Sequence, residues 1–119
     1  MREYKFRGLG ADGQWWYGEP TPQGERHVNL ATFFANLHAG GINPETVGEY
    51  TGLKDKNGEE IYEGDILRYQ ELVGVVEYRH SGFIQRIAVN DTFEAVWAAC
   101  EVIGNIFEHN YLVGTKTEK

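Results

Sequence analysis

The sequence is poor in the residues that carry nucleophilic and redox chemistry. Its 119 residues include one cysteine, Cys100, and one serine, Ser81. A single cysteine cannot form an internal disulfide, which agrees with a reducing compartment. Cys100 lies in an apolar stretch, where a buried and inert thiol is the usual case, and Ser81 lies in a predicted turn. We therefore expect neither residue to act as a nucleophile.

Long apolar runs are also missing. No run approaches the ~20 residues of a membrane span, so we expect no transmembrane segment. The first ten residues lack the apolar core of a secretory signal, which predicts a cytoplasmic protein. Only three prolines and a hydrophobic fraction of 41% are typical of a folded chain. The length predicts a single domain, residues 1–119, with a frayed tail at 113–119.

Basic residues are outnumbered, with 11 Lys and Arg against 18 Asp and Glu and a formal net charge of −7. This balance argues against a general phosphate-binding surface, because nucleic-acid affinity comes mostly from clustered basic side chains. The acidic excess is concentrated in residues 41–78, whereas residues 1–40 are neutral and hold four bases. A basic face outside the acidic segment, and with it nucleic-acid binding, therefore stays open.

The periodicity predicts a mainly β (α+β) fold. Alternation in residues 3–7 and the aromatic run 14–18 predict a hairpin joined by a glycine-rich turn. Leu30, Phe33, Phe34 and Leu37 have helical spacing and predict a helix near 31–39, capped by Asn29 or Thr32. Short runs from 46 to 107 with frequent turns predict further strands, and 91–99 a short helix or an irregular loop. We expect a small barrel-like antiparallel sheet, partly open, with one or two short helices.

Two motifs resemble ligand sites but fail the tests of those sites. Residues 8–13 match G-x-G-x-x-G, yet a strand-prone aromatic run follows where a nucleotide site needs a helix. Residues 55–59 begin like a calcium loop, but its sixth and twelfth positions hold Glu60 and Ile66 instead of glycine and glutamate. The four histidines show no metal-ligand spacing. We therefore expect two structural turns and no cofactor.

Two groups of residues remain as candidate sites. Glu59, Glu63 and Asp65 are weak candidates for metal ligands, although Glu63-Gly64-Asp65 also suits a tight turn. The second group is a possible contact surface, which consists of Arg7, Trp15, Trp16 and Tyr17. In a strand, Trp15 and Tyr17 face one way and Trp16 the other, so one face packs in the core and the other is a candidate stacking platform.

Residues 46–66, with the sequence TVGEYTGLKDKNGEEIYEGDI, resemble the YopX family of small bacteriophage and prophage proteins. Three further pieces fit that family: residues 4–7 followed by 15–18, residues 74–78, and residues 100–108. Residues 19–42 show no family pattern. The resemblance implies a phage or prophage origin and a bacterial cytoplasm, and it implies no activity and no site residues.

We expect a non-enzymatic interaction protein that forms a homo-oligomer, with a host or phage protein as a further partner and no membrane. A surplus of aromatic residues and the exposed edges of strands motivate this expectation. One alternative is a nucleic-acid-associated small β-barrel, which requires a shared basic strip of Arg2, Lys5, Arg7, Arg68, Arg79 and Arg86. The other is a carboxylate–metal-dependent hydrolase, which requires the oxygens of Glu59, Glu63 and Asp65 to converge.

Overall fold

The computed structural model describes residues 4–79, 82–87, 92–93 and 99–112. Strands dominate these residues, which confirms the predicted mainly β fold with a short helix. The strands form two sheets instead of the single barrel-like sheet of the prediction, and these sheets are not closed into a barrel. Most of the predicted helix or loop at 91–99 and the tail 113–119 lie outside the described residues.

The chain divides into two compact units, residues 1–50 and 51–119, which are taken in turn. The single domain predicted for the whole chain stays a prediction. No helix in the described part of the chain is long and apolar enough to cross a membrane.

The first unit is a sheet with one helix. Its elements are β1 (Phe6–Leu9), β2 (Trp15–Gly18), β3 (His27–Val28), helix α1 (Leu30–His38), a 3-10 turn (Pro44–Thr46) and the first half of β4 (Gly48–Lys54). The strand order is β3-β2-β1-β4. Strands β1 and β2 form the predicted hairpin, whereas β3 lies parallel to β2, a pairing that the sequence did not predict. The G-x-G-x-x-G segment is the hairpin turn, in which the N–H of Gly13 donates to the carbonyl of Gly10.

Helix α1 packs on the hairpin through Phe33, which is completely buried. A Cβ atom at Gly18 would lie 2.7 Å from Phe33, so the absence of a side chain there allows the helix to approach β2. The Asn29 side chain accepts a hydrogen bond of 2.8 Å from the N–H of Thr32. The predicted helix is therefore confirmed, and Asn29 is its N-cap.

The second unit contains the remaining strands. They are the second half of β4, β5 (Glu60–Tyr62), β6 (Asp65–Tyr69), β7 (Leu72–Arg79), β8 (Gly82–Ile87), β9 (Thr92–Phe93) and β10 (Glu101–Asn105), followed by a 3-10 turn (Asn110–Leu112). Strand β5 lies beside β4, and the second sheet has the order β10-β6-β7-β8-β9 with every pairing antiparallel. Strands β6 and β7 form a second antiparallel hairpin.

The core of the second unit is a cluster of four apolar side chains, each at most 1% exposed. They are Ile61, Leu67, Val76 and Cys100, with Tyr69 and Val102 packed against them. Apolar burial of this kind is the main favourable contribution to folding. The buried thiol predicted for Cys100 is confirmed.

Candidate functional site

The turn after β4 is fixed by the buried carboxylate of Asp55. Its Oδ1 atom accepts hydrogen bonds of 2.8 Å from the N–H groups of Asn57 and Glu59, and its Oδ2 atom accepts one of 2.9 Å from Val102. Burial alone would raise the pKa of Asp55, but the N–H groups of Val102, Glu59 and Asn57 outweigh it and lower that pKa. The carboxylate therefore joins the turn to β10 across 47 positions of sequence.

Of the candidate metal ligands, Glu63 and Asp65 flank Gly64 in a second turn, whereas Glu59 lies in the Asp55 turn. Asp65 is 1% exposed, and its Oδ2 atom accepts a hydrogen bond of 2.8 Å from the N–H of Tyr62. Gly64 has a φ of +94°, which only glycine adopts readily. No group of three or more His, Cys, Asp or Glu side chains in the described part of the chain could hold a metal ion. The structure therefore does not bring Glu59, Glu63 and Asp65 together as a metal site.

Asn105 organises the turn that follows β10. Its Oδ1 atom accepts hydrogen bonds from the N–H groups of Phe107 (3.0 Å) and Glu108 (2.9 Å), and its Nδ2 atom donates to Glu108. Its own N–H donates to Nδ1 of His109 at 3.1 Å. This turn leaves the rings of Phe107 and Tyr111 exposed.

The predicted contact surface is more enclosed than the sequence indicates. Arg7 is only 8% exposed, and its guanidinium lies 4.7 Å from the ring centroid of Trp15. Trp15, Trp16 and Tyr17 are half-buried. Trp16 stacks with a different guanidinium, that of Arg26 at 4.5 Å, as expected for neighbours on opposite faces of a strand. Arg7 is therefore an interior residue and not part of an open platform.

The parallel pairing of β2 with β3 creates a polar cluster that consists of Lys5, Tyr17, Glu19 and His27. Nδ1 of His27 lies 2.7 Å from Oε2 of Glu19, and the imidazole stacks on Tyr17 with 4.7 Å between ring centroids. Nζ of Lys5 lies 4.0 Å from Oε1 of Glu19. Glu19 is only 5% exposed, so the ammonium group of Lys5, the imidazole of His27 and the N–H of Gln23 compensate its buried carboxylate.

This cluster, which we call the Glu19 cluster, has no signal in the sequence. Glu19 and His27 are eight positions apart, and they meet only because the chain between them returns to make β3 parallel to β2. The contacts connect three separate pieces of chain: the residue before β1, the end of β2 and β3. The arrangement can hold those pieces together.

The described basic residues of the proposed nucleic-acid strip are held by partners within the protein. Lys5 and Arg7 face Glu19 and Trp15, and Arg68 makes an ion pair of 3.1 Å with Glu101. Arg2 and the side chains of Arg79 and Arg86 lie outside the described part of the chain. Phosphate binding needs basic groups that are open to the ligand. Lys5 and Arg7 are enclosed, whereas the side chain of Arg68 is 52% exposed, so the contacts of Lys5 and Arg7 do not favour the nucleic-acid alternative.

A family model matches most of this chain. No curated protein matches this chain in sequence. The family model described as YopX protein matches residues 4–113, which include the motif at 46–66 and most of each unit of the fold. This chain therefore belongs to the YopX family.

Proposed function

We propose that this protein acts in bacteriophage or prophage biology as a non-enzymatic interaction protein, and that it self-associates in the bacterial cytoplasm. The observation that carries the proposal is a contrast within the second unit. The buried polar residues of the family-like segments are engaged in turns, and several large apolar side chains face solvent. The second unit therefore offers apolar contact area to a partner.

The polar half of this contrast supports a scaffolding role for the motif. Asp55, Asp65 and Asn105 each direct a side-chain oxygen to backbone N–H groups. A general base or a metal ligand must instead direct an oxygen to a substrate or cation. These residues shape turns and position the strands.

The apolar half supports association with a second copy. Leu53 is 43% exposed, Leu72 44%, Phe107 37% and Tyr111 69%. Burial of a fully exposed side chain of this kind contributes about 1.5–3 kcal/mol, so a side chain that is about half-exposed can contribute about half as much. The cores of interfaces are also enriched in aromatic residues. Burial of even two of these side chains would change an association constant by more than tenfold.

Light scattering coupled to size exclusion tests the proposal. We expect the wild-type protein to form dimers or larger species as its concentration rises. The double variant Leu53→Ser/Leu72→Ser should dissociate at least about tenfold more readily, which corresponds to ~1.4 kcal/mol. The matched control is Lys54→Ser/Glu71→Ser, which changes an exposed neighbour of each leucine and should associate like the wild type. A wild-type protein that is monomeric at every concentration would refute self-association.

A further inference from the structure

The hairpin of β1 and β2 occupies the middle of the first unit's sheet, although it comes first in the chain. One edge pairs with β3 through Tyr17 and His27, and the other pairs with β4 through Phe6 and Glu49. Both neighbouring strands come later in the sequence. The hairpin can therefore leave its place as one piece, with its own β1–β2 pairing intact.

The connection from the hairpin to β3 has features of a hinge. Residues 20–25 are all exposed and include Pro20 and Pro22, which favour extended backbone at themselves and at the residue before them. The connection turns back through positive φ angles of 118° at Gly24 and 67° at Arg26. Arginine in the left-handed region is strained, and an extended connection would release that strain.

We propose that two copies of this chain exchange their hairpins, so that residues 4–18 of one copy fill the place between β3 and β4 of the other. The inference rests on the proposed self-association and adds an exchange of first-unit hairpins to the apolar contacts proposed for the second unit. All contacts between hairpin and body, such as those of Asp12 with Arg26 and of Tyr17 with His27, re-form between the copies. Only the hinge changes, and strained hinges favour exchange of this kind.

The ion pair between hairpin and body provides a direct test. Nη2 of Arg26 lies 2.7 Å from Oδ2 of Asp12, so Arg26→Lys places an amine beside that carboxylate. Normal and ¹⁵N-labelled copies of the variant are unfolded together, refolded, and treated with a zero-length carbodiimide, which joins a carboxylate to an amine. The dimer fraction is isolated and digested. If the two kinds of copy are mixed in equal amounts, we expect half of the cross-linked peptide pairs to contain one labelled and one unlabelled peptide.

The outcomes separate this inference from the proposed function. Addition of Asp12→Asn to the Arg26→Lys chain should abolish the cross-link. Its loss would show that the cross-link joins residue 12 to residue 26. Dimers whose cross-links join only like isotopes would overturn hairpin exchange and leave self-association standing. A protein that is monomeric throughout would overturn both.

Two variants at the hinge test the role of strain. Arg26→Ala and Arg26→Gly lose the same side-chain contacts in the monomer and in the exchanged dimer. Only glycine removes the backbone strain of the positive φ angle at position 26 in the monomer. We expect the association constant of Arg26→Gly to be at least about fivefold lower than that of Arg26→Ala, which corresponds to ~1 kcal/mol. Equal association constants would overturn the hinge mechanism.

Discussion

At the scale of single residues, the most consequential side chain is Asp55, a buried carboxylate with three backbone donors. The variant Asp55→Asn keeps the shape but has a single acceptor oxygen for those donors. We expect it to lower the free energy of unfolding by about 1–3 kcal/mol, measured by urea denaturation. The control is Glu59→Gln, which leaves the backbone donor of that residue in place and should change stability little. An unchanged midpoint for Asp55→Asn would contradict the role assigned to this carboxylate.

The pH dependence of stability reports on the same residue. Because the pKa of Asp55 is lowered in the folded state, its contribution is complete above the unfolded value of about 3.9 and is lost as pH falls through the folded value. The difference in unfolding free energy between the wild type and Asp55→Asn should therefore narrow below about pH 4. A difference that stays constant on acidification would exclude the ionised carboxylate as its source.

Gly64 is a second residue whose backbone angle and surroundings both disfavour a side chain. It combines a φ of +94° with a position where a Cβ atom would lie 2.9 Å from Phe107. Gly58 has a similar φ of +82°, but nothing lies within 4 Å of its Cβ position. Gly64→Ala should therefore destabilise the protein by about 0.5–1 kcal/mol more than Gly58→Ala, because only the first also requires the exposed ring of Phe107 to move aside. Equal losses in urea denaturation would show that crowding is absent.

At the scale of elements, β3 pairs with β2 over only two residues, so side-chain contacts add to its few backbone hydrogen bonds. His27 contributes an imidazole that stacks on Tyr17 and an Nδ1 atom that contacts Glu19. His27→Phe keeps the stacking and removes the polar contact, whereas His27→Ala removes both. We expect His27→Phe to cost about 1–3 kcal/mol, because the buried Glu19 carboxylate loses a partner. His27→Ala should cost more, and thermal unfolding of the two variants measures both losses.

The variant Glu19→Gln completes a double-mutant cycle with His27→Phe. A coupling free energy of about 0.5–3 kcal/mol is expected for two residues in direct contact. Additive effects would mean that the two side chains act independently.

The elements that sequence analysis predicted are those with local signals. Helix α1 follows from the spacing of Phe33 and its neighbours with a capping Asn29, and the β1–β2 hairpin follows from alternation and a glycine-rich turn. The parallel pairing of β3 depends on a reversal of the chain between β2 and β3. The contact of Asp55 with Val102 joins residues that are 47 positions apart. Such pairings leave no periodic pattern. For the same reason the Glu19 cluster could not be foreseen, and the burial of Arg7 was missed.

At the scale of the whole molecule, the family match and the division into units bear on cooperativity. The match covers residues 4–113, and β4 runs across the boundary between the two units near residue 50. Neither unit contains all of β4, so neither unit has a complete set of strands without the other. We therefore expect the chain to unfold as the single predicted domain, in one transition. Calorimetric and van't Hoff enthalpies should therefore agree. Two separate transitions would instead identify two independently folding domains.

Self-association is the central claim, and sedimentation equilibrium tests it most directly. One chain has a mass of 13.5 kDa, so the assembly has a mass that is a multiple of this value. The wild-type protein, measured over a wide range of concentrations, should show an average mass that rises from that of one chain toward a multiple of it. A mass of 13.5 kDa at every concentration would contradict the claim.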